Sequence, residues 1–459
     1  MDHIPLPKNP TWGRLEIPCL TEQDYDGGDP RSYPAREGFG DRTHFEWEKL
    51  LAKPPQGFVR FMQRWRYFGL IARVFRYPDG TWPTVTDLSR LNADNERVLD
   101  TSKLPDIARQ TILAGGVAES QKYGSLMSRC EFAKRFFLKI EGSQSAKKSQ
   151  PHLKDKALLE KVSLSKYYDT LEGQEVLPEM IAYSVLLLHE FIGSVLDFAP
   201  LYLHPSMQHT TLEQALSETG DRTSYQPNSQ NACARQMVSA GWCPARIEEL
   251  KMILPLSGML YVANLPRLDN KDHRTCTADM CFLAKIKDCD YNTLHDHDGE
   301  DCEHVEPDLG QLTTILETST FPVMKCSIDA AQSSISLEPF DPEVPYVAIS
   351  HVWSDGLGNP RNNSIPRCQF RRLSDLVREV GIRFPALKTS AFWLDTVCCP
   401  VEDGSRIQNI ALEKMKDTYK NAAAVLILDS YLLQQTAADL TNVERLMRVL
   451  CCRWTGRLW

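Results

Sequence analysis

Between His273 and His304 the chain reads HRTCTADMCFLAKIKDCDYNTLHDHDGEDCEH, and those 32 residues hold four of its 14 cysteines and four of its 11 histidines. Even scatter would put roughly two such residues there. The stretch is polar and rich in aspartate, so an apolar core is no reason to collect them. Thiolates and imidazoles at short spacings are what tetrahedral zinc takes as ligands. The pairs are Cys276-x4-Cys281, His295-x-His297 and Cys302-x-His304, with His273 three residues ahead of Cys276 and Cys243 in the turn-like GWCPARIEEL. The expectation is a structural zinc that fixes a loop too polar to build its own core. No H-E-x-x-H or similar base-bearing motif points to catalytic zinc. A coincidental surface loop is the plain alternative. Cys243, His273, Cys276, Cys281, His295, Cys302 and His304 are more donors than one ion uses, so the four ligands stay open. Cys289 falls outside the pairs and is set aside.

A second group of polar side chains lies at PYVAISHVWSDG. Tyr346 to Ile349 is a short apolar run, as in a strand buried on both faces. It breaks into Ser350, His351, Trp353, Ser354, Asp355 and Gly356. Ligands of open α/β sheets gather past the carboxyl ends of strands, so a site is expected there. Ser350, His351, Asp355 and Asp395 are the candidate catalytic groups, and Trp353 and Gly356 the candidate cofactor contacts. The plain alternatives are a strand-end histidine held by hydrogen bonds and aspartates that cap loops or helices. Trp393 alternates with Phe392 and Leu394 and belongs to the core. His351, Asp395 and Cys398 have the chemistry of a cysteine hydrolase, but Cys398 and Cys399 sit in an apolar strand, so this reading ranks last.

The elements that would position these groups alternate in type. A strand at Tyr346–Ile349 leads to a helix near Leu373–Val380, then a strand at Ala391–Cys399. Ser405 and Gln408 open a capping box for a further helix, and Ala422–Ser430 is a last strand. Strand, helix, strand, helix, strand predicts a parallel sheet. The first half reads differently. Helical spacing runs from His44 to Arg76, where Phe58, Phe61, Trp65, Phe68 and Ile71 form a core stripe, and a turn at Tyr77-Pro78-Asp79-Gly80 closes it. More helices are expected at Leu104–Ala114, Leu126–Ile140, Pro178–Phe198 and Leu212–Thr219, with polar stretches at Glu141–Lys156 and Asp221–Asn231. The fold expected is α+β overall: an irregular arm at 1–42, a mostly α-helical region at 43–232, a Cys/His-rich, zinc-stabilised segment at 233–335, and an α/β domain at 336–459.

Composition excludes several functions. Fifty-two basic against 60 acidic residues give a net charge of −8, which offers no general field for nucleic acid or an anionic membrane. The greasiest stretch, Val176 to Leu203, is interrupted by Glu179, His189, Glu190 and Asp197 and reads as a buried helix rather than a membrane span. The first 30 residues carry no signal-peptide core, so a cytoplasmic protein with reduced thiols is expected.

Three blocks, YVAISHVWSDGLGN, FWLDTVCCP and MKDTYKNAAAVLILD, together resemble the fungal heterokaryon incompatibility (HET) domain. The Cys/His stretch resembles the segment that precedes it in many large fungal proteins of that kind, with Cys302-Glu303-His304 where C-x-C is usual. The resemblance implies a cytoplasmic fungal protein of non-self recognition and regulated cell death, whose partners are other incompatibility proteins or copies of itself. HET domains are similar at a distance to TIR domains, many of which cleave NAD with a helix-borne glutamate. AISHVWSDG looks like the TIR opening strand and turn, and VLILDSYL like a later strand. The resemblance would have the domain run on past CCRWTGRLW into a glutamate-bearing motif, so a C-terminally truncated domain without that carboxylate is expected. A non-catalytic assembly module is the alternative from a different class.

Overall fold

Phe58, Phe61, Trp65, Phe68 and Ile71 are all buried. They ride on one rod that is α-helical at Pro55–Met62, π-helical at Gln63–Phe68 and α-helical again at Gly69–Val74. The wider π-helical turns bury four neighbours in a row, Trp65 to Phe68. Gly80, at φ +84°, then closes the expected turn by donating to the Tyr77 carbonyl at 2.9 Å. This rod belongs to the first of two units in a computed structural model, Met1–Ser239 with Leu250–Pro266. The second is Ala240–Glu249 with Arg267–Trp459. The structure describes residues 1–41, 46–113, 128–129, 176–203, 230–267, 271–284, 291–296, 302–318, 320–325, 334–387, 391–402, 404–434 and 439–456.

The first unit is mainly helical. Helices run at Leu104–Leu113 and Val176–Leu203, the latter longer than its expected span. Among the described residues no helix is long and apolar enough to cross a membrane. Glu190, one of the charges that breaks its apolar run, accepts the amides of Leu256 and Ser257 at 2.7 and 3.0 Å and so caps the helix Leu256–Ala263. Residues 1–41 contain little regular structure, yet Ile17, Tyr25 and Tyr33 are buried in the same core. A hairpin of β1 (Ser89–Leu91) and β2 (Arg97–Leu99) was not anticipated. The helices expected at Leu126–Ile140 and Leu212–Thr219, and the polar stretches at Glu141–Lys156 and Asp221–Asn231, fall outside the described residues save for a few positions.

The second unit is built on β3 (His304–Pro307), β4 (Pro322–Lys325), β5 (Ser334–Ile335), β6 (Leu337–Pro339), β7 (Val347–His351), β8 (Ile365–Pro366), β9 (Ala391–Trp393) and β10 (Ala424–Leu428). The main sheet has the order β10-β7-β9-β4-β6, and β5-β3-β8 form a small second one. β10, β7 and β9 are parallel, in register Leu428↔His351 and Ala348↔Trp393. β4 and β6 add to the sheet antiparallel. The sheet is therefore mixed where a parallel one was expected, because β4 and β6 are four- and three-residue segments too short to show a period.

The helix Arg367–Arg383 follows β8 and presses Phe370, Leu373 and Val377 into the core. The helix Arg406–Asn421 adds Ala411, with Ile407, Ile410 and Met415 beside it. Ser405 Oγ accepts the Gln408 amide at 3.1 Å, and Gln408 Oε1 reaches back to the Gly404 amide at 2.9 Å. The expected capping box thus forms, shifted by one residue on its return bond.

Boundaries moved at two places. β9 ends at Trp393, and Asp395–Cys398 forms a helical turn instead of continuing the strand to Cys399. The Leu394 carbonyl accepts the amides of Val397 and Cys398, which curls the chain. β7, in turn, runs through Ser350 and His351, which were expected beyond its end.

Candidate functional site

β7 is buried at all five positions. Its last two residues are polar, and a buried polar group needs partners. For His351 the partner is Asp395, on the first residue of the turn after the neighbouring parallel strand. His351 Nε2 lies 2.7 Å from Asp395 Oδ1, and the Trp353 indole Nε1 donates to Asp395 Oδ2 at 2.8 Å. The Thr396 amide also donates to Oδ1, at 2.7 Å. The two rings lie nearly parallel, 12° apart with centroids at 6.4 Å. The His351 side chain is 1% exposed and that of Asp395 is 21% exposed. Burial pushes the Asp395 carboxyl up, but the charge of His351 and the converging donors prevail, and it is lowered to about 2. One carboxylate therefore holds an imidazole and an indole at the carboxyl ends of β7 and β9.

Ser350 and Asp355 do not join that group. The chain runs from β7 to β9 on one side and then back across β7 to β10, so the order reverses between β7 and β10. Ser350 Oγ there accepts the Trp454 indole N–H at 2.8 Å, and Asp429 Oδ2 accepts the Trp454 amide at 3.0 Å. Asp355 Oδ2 accepts the Ser430 amide at 2.9 Å and stands 3.8 Å from the Arg453 guanidinium. Burial holds the Asp355 carboxyl above its ordinary value. Trp454 and Asp429 are thus parts of the site that sequence reasoning missed. Asp429 also caps the turn that follows it, since its Oδ1 accepts the Tyr431 amide at 2.9 Å.

The turn carrying Trp353 and Gly356 is shaped by residues 291–294. Gly356 has φ +91°, and a β-carbon there would meet Leu294 Cγ at 2.3 Å. The Leu294 amide donates to the Gly356 carbonyl at 2.9 Å. Tyr291 Oη donates to the Trp353 carbonyl at 2.6 Å and accepts the Gly358 amide at 2.7 Å. Gly356 is therefore accounted for by a left-handed turn and a close neighbour. Cys398 is buried, and its thiol is pushed up to about 12 by that burial. A thiol so placed is not a nucleophile at neutral pH.

Two sets of donors gather apart from this turn. Cys243, His273, Cys276 and Cys281 place their ligand atoms within 4.8 Å of one another. Cys276 Sγ is 3.5 Å from His273 Nδ1 and 3.9 Å from Cys281 Sγ, and Cys281 Sγ is 3.8 Å from His273 Nδ1. A tetrahedron with ordinary zinc bonds has edges of about 3.8 Å between sulfurs and about 3.6 Å between sulfur and nitrogen. The donor set fits zinc. Thr277 and Met280 exchange amide–carbonyl bonds of 3.0 and 3.4 Å, closing the chain between the two cysteines. Burial would raise the Cys276 thiol, but the His273 ring and the backbone amides of Phe282 and Leu283 outweigh it and lower it to about 7. Next along the chain, Arg246 donates to the carbonyls of Leu450, Cys451 and Cys452, and so caps the helix Asn442–Cys451.

The second set is His295, Cys302 and Cys368. Cys368 was not among the residues anticipated, since nothing in NNSIPRCQ pairs it with a distant histidine. His304 joins neither set. Its Nδ1 is 3.0 Å from Ser364 Oγ, and its ring centroid is 6.1 Å from that of His295. His297 and Cys289 lie outside the described residues.

Residues 346–450 match the family model described as heterokaryon incompatibility protein (HET). No curated protein and no solved structure matches the chain.

Proposed function

We propose that this chain, which carries a heterokaryon incompatibility domain over residues 346–450, acts in non-self recognition by driving regulated cell death, and that the turn Trp353–Gly356 is the working end of the domain. The observation that carries the reading is Asp395, which fixes His351 and Trp353 together at the strand ends inside the matched region. Neither ring is free to turn while that carboxylate holds both, so the turn presents a preset surface rather than an adaptable one. The Cys243, His273, Cys276 and Cys281 set holds a structural zinc, which when bound cross-links four positions of a polar stretch.

A second reading, cleavage of NAD, is favoured by one observation. The turn sits at the carboxyl ends of parallel strands, next to the place where the strand order reverses, and nucleotides bind there in open α/β sheets. The experiment expresses the chain and its Asp395→Asn variant in a filamentous fungal host and follows viability and NAD content together. Death that requires Asp395 supports the main reading, and death accompanied by NAD loss supports cleavage. Death with unchanged NAD assigns the domain to assembly. Equal viability with and without expression would overturn both.

A further inference from the structure

We propose a second metal centre, formed by His295, Cys302 and Cys368, that takes a divalent thiophilic ion, zinc in the first instance, and fastens His295 and Cys302 to the start of the helix Arg367–Arg383. It is distinct from the cluster at Cys243. The three ligand atoms lie within 4.8 Å of one another. Cys368 Sγ is 3.6 Å from His295 Nδ1, the edge expected of a zinc tetrahedron at about 3.6 Å.

The backbone is already arranged for bound sulfur. The Asp296 amide donates to Cys368 Sγ at 3.3 Å, and the Cys368 amide donates to Cys302 Sγ at 3.2 Å. Sulfur is a weak acceptor as a thiol and a good one as a thiolate, so two amides aimed at two sulfurs suit metal-held thiolates. Two stretches far apart in sequence supply the donors. His295 precedes β3, Cys302 leads directly into it, and Cys368 opens the helix after β8, which pairs with β3 through His304↔Pro366 and Val305↔Ile365. The β3–β8 pairing places Cys302 opposite Cys368.

The described residues supply three ligands, all half-buried. Cys302 and Cys368 line an open cleft of about 450 Å³ together with Asp296, Arg367, Arg371 and Arg372, which gives solvent access to the sulfurs. This centre therefore exchanges its metal more readily than the cluster at Cys243, three of whose four ligands are buried. Its effect on the rest of the domain runs through two adjacent residues. Gln369 Nε2 donates to the Leu294 carbonyl at 3.1 Å, and Leu294 abuts Gly356. His295 is thus a positioning residue for the turn that carries Trp353.

Elemental analysis of the purified chain should give two zinc ions per chain. A chromophoric chelator should remove one quickly and the other slowly. Cys368→Ser should lose the fast ion alone, and Cys276→Ser the slow one. A wild type holding one zinc, or Cys368→Ser retaining two, would overturn the proposal, as would thiol titration showing Cys302 joined to Cys368 as a disulfide. Should Cys368→Ser fail to fold, cobalt(II) loading of the wild type decides. Two cobalt ions per chain, with spectra of a three-thiolate and a two-thiolate site, are expected, and a three-thiolate spectrum alone would overturn the centre.

Discussion

Asp395→Asn tests the central geometry most sharply. The carboxylate accepts from His351, Trp353 and the Thr396 amide. An asparagine offers one acceptor oxygen: its amide nitrogen either opposes the indole N–H, donor against donor, or faces the imidazole, which must then present Nε2 without its proton. A lost hydrogen bond to a charged group costs about 1.5–3 kcal/mol. The carboxyl's fall from 3.8 to about 2 converts to roughly 2 kcal/mol, which agrees in size. In a unit of about 200 residues each kcal/mol moves the melting temperature by about 2–4 °C, so a drop of about 3–12 °C is expected. Thermal unfolding followed by tryptophan fluorescence reads both the shift and the freed indole.

The pH dependence adds a second check. The folded carboxyl titrates below its unfolded counterpart, so its contribution is present in full above pH 3.8 and fades as pH falls through about 2. About half of the difference between wild type and variant should be gone at pH 3. A variant that melts within about a degree of wild type at pH 7, or a difference that does not shrink in acid, would refute the shared-carboxylate argument.

Asp355→Asn should behave in the opposite sense. Burial raises its carboxyl, so the charged form works against folding as pH rises, and the variant should melt at the same temperature or slightly higher at pH 7. A loss as large as that of Asp395→Asn would contradict this. Gly356→Ala should destabilise by about 2–4 kcal/mol from left-handed strain plus overlap with Leu294, and adding Leu294→Ala should return part of it in a double-mutant cycle. Additive losses would mean the two do not touch. Glu444→Ala leaves Arg448 buried without its 2.9 Å carboxylate and should cost about 3–5 kcal/mol in denaturant unfolding, and a loss under about 1 kcal/mol would count against it.

Local chemistry was legible where one short stretch carried its own signal. The apolar run of β7, the Ser405 cap and the aromatic stripe from Phe58 to Ile71 all appear where residue type and spacing place them. The crowd of cysteines and histidines between His273 and Cys281 was visible for the same reason, since its ligands are close in sequence. Cys398 was misjudged in setting. The strand expected around it stops at Trp393, because carbonyl acceptors at Leu394 turn the chain, a competition that apolar content does not reveal.

What the sequence determined by itself was the alternation of strand and helix, the buried runs and the local caps, because these depend on neighbours a few positions away. Only the tertiary structure decided that Asp395, and not Asp355, holds His351 and Trp353, and that Cys368 stands beside His295. Those pairings span 44 and 73 positions and arise from parallel strand register and from the β3–β8 pairing. Strand register is a global outcome of packing, so it sets which distant side chains meet without leaving any mark in the spacing of residues along the chain.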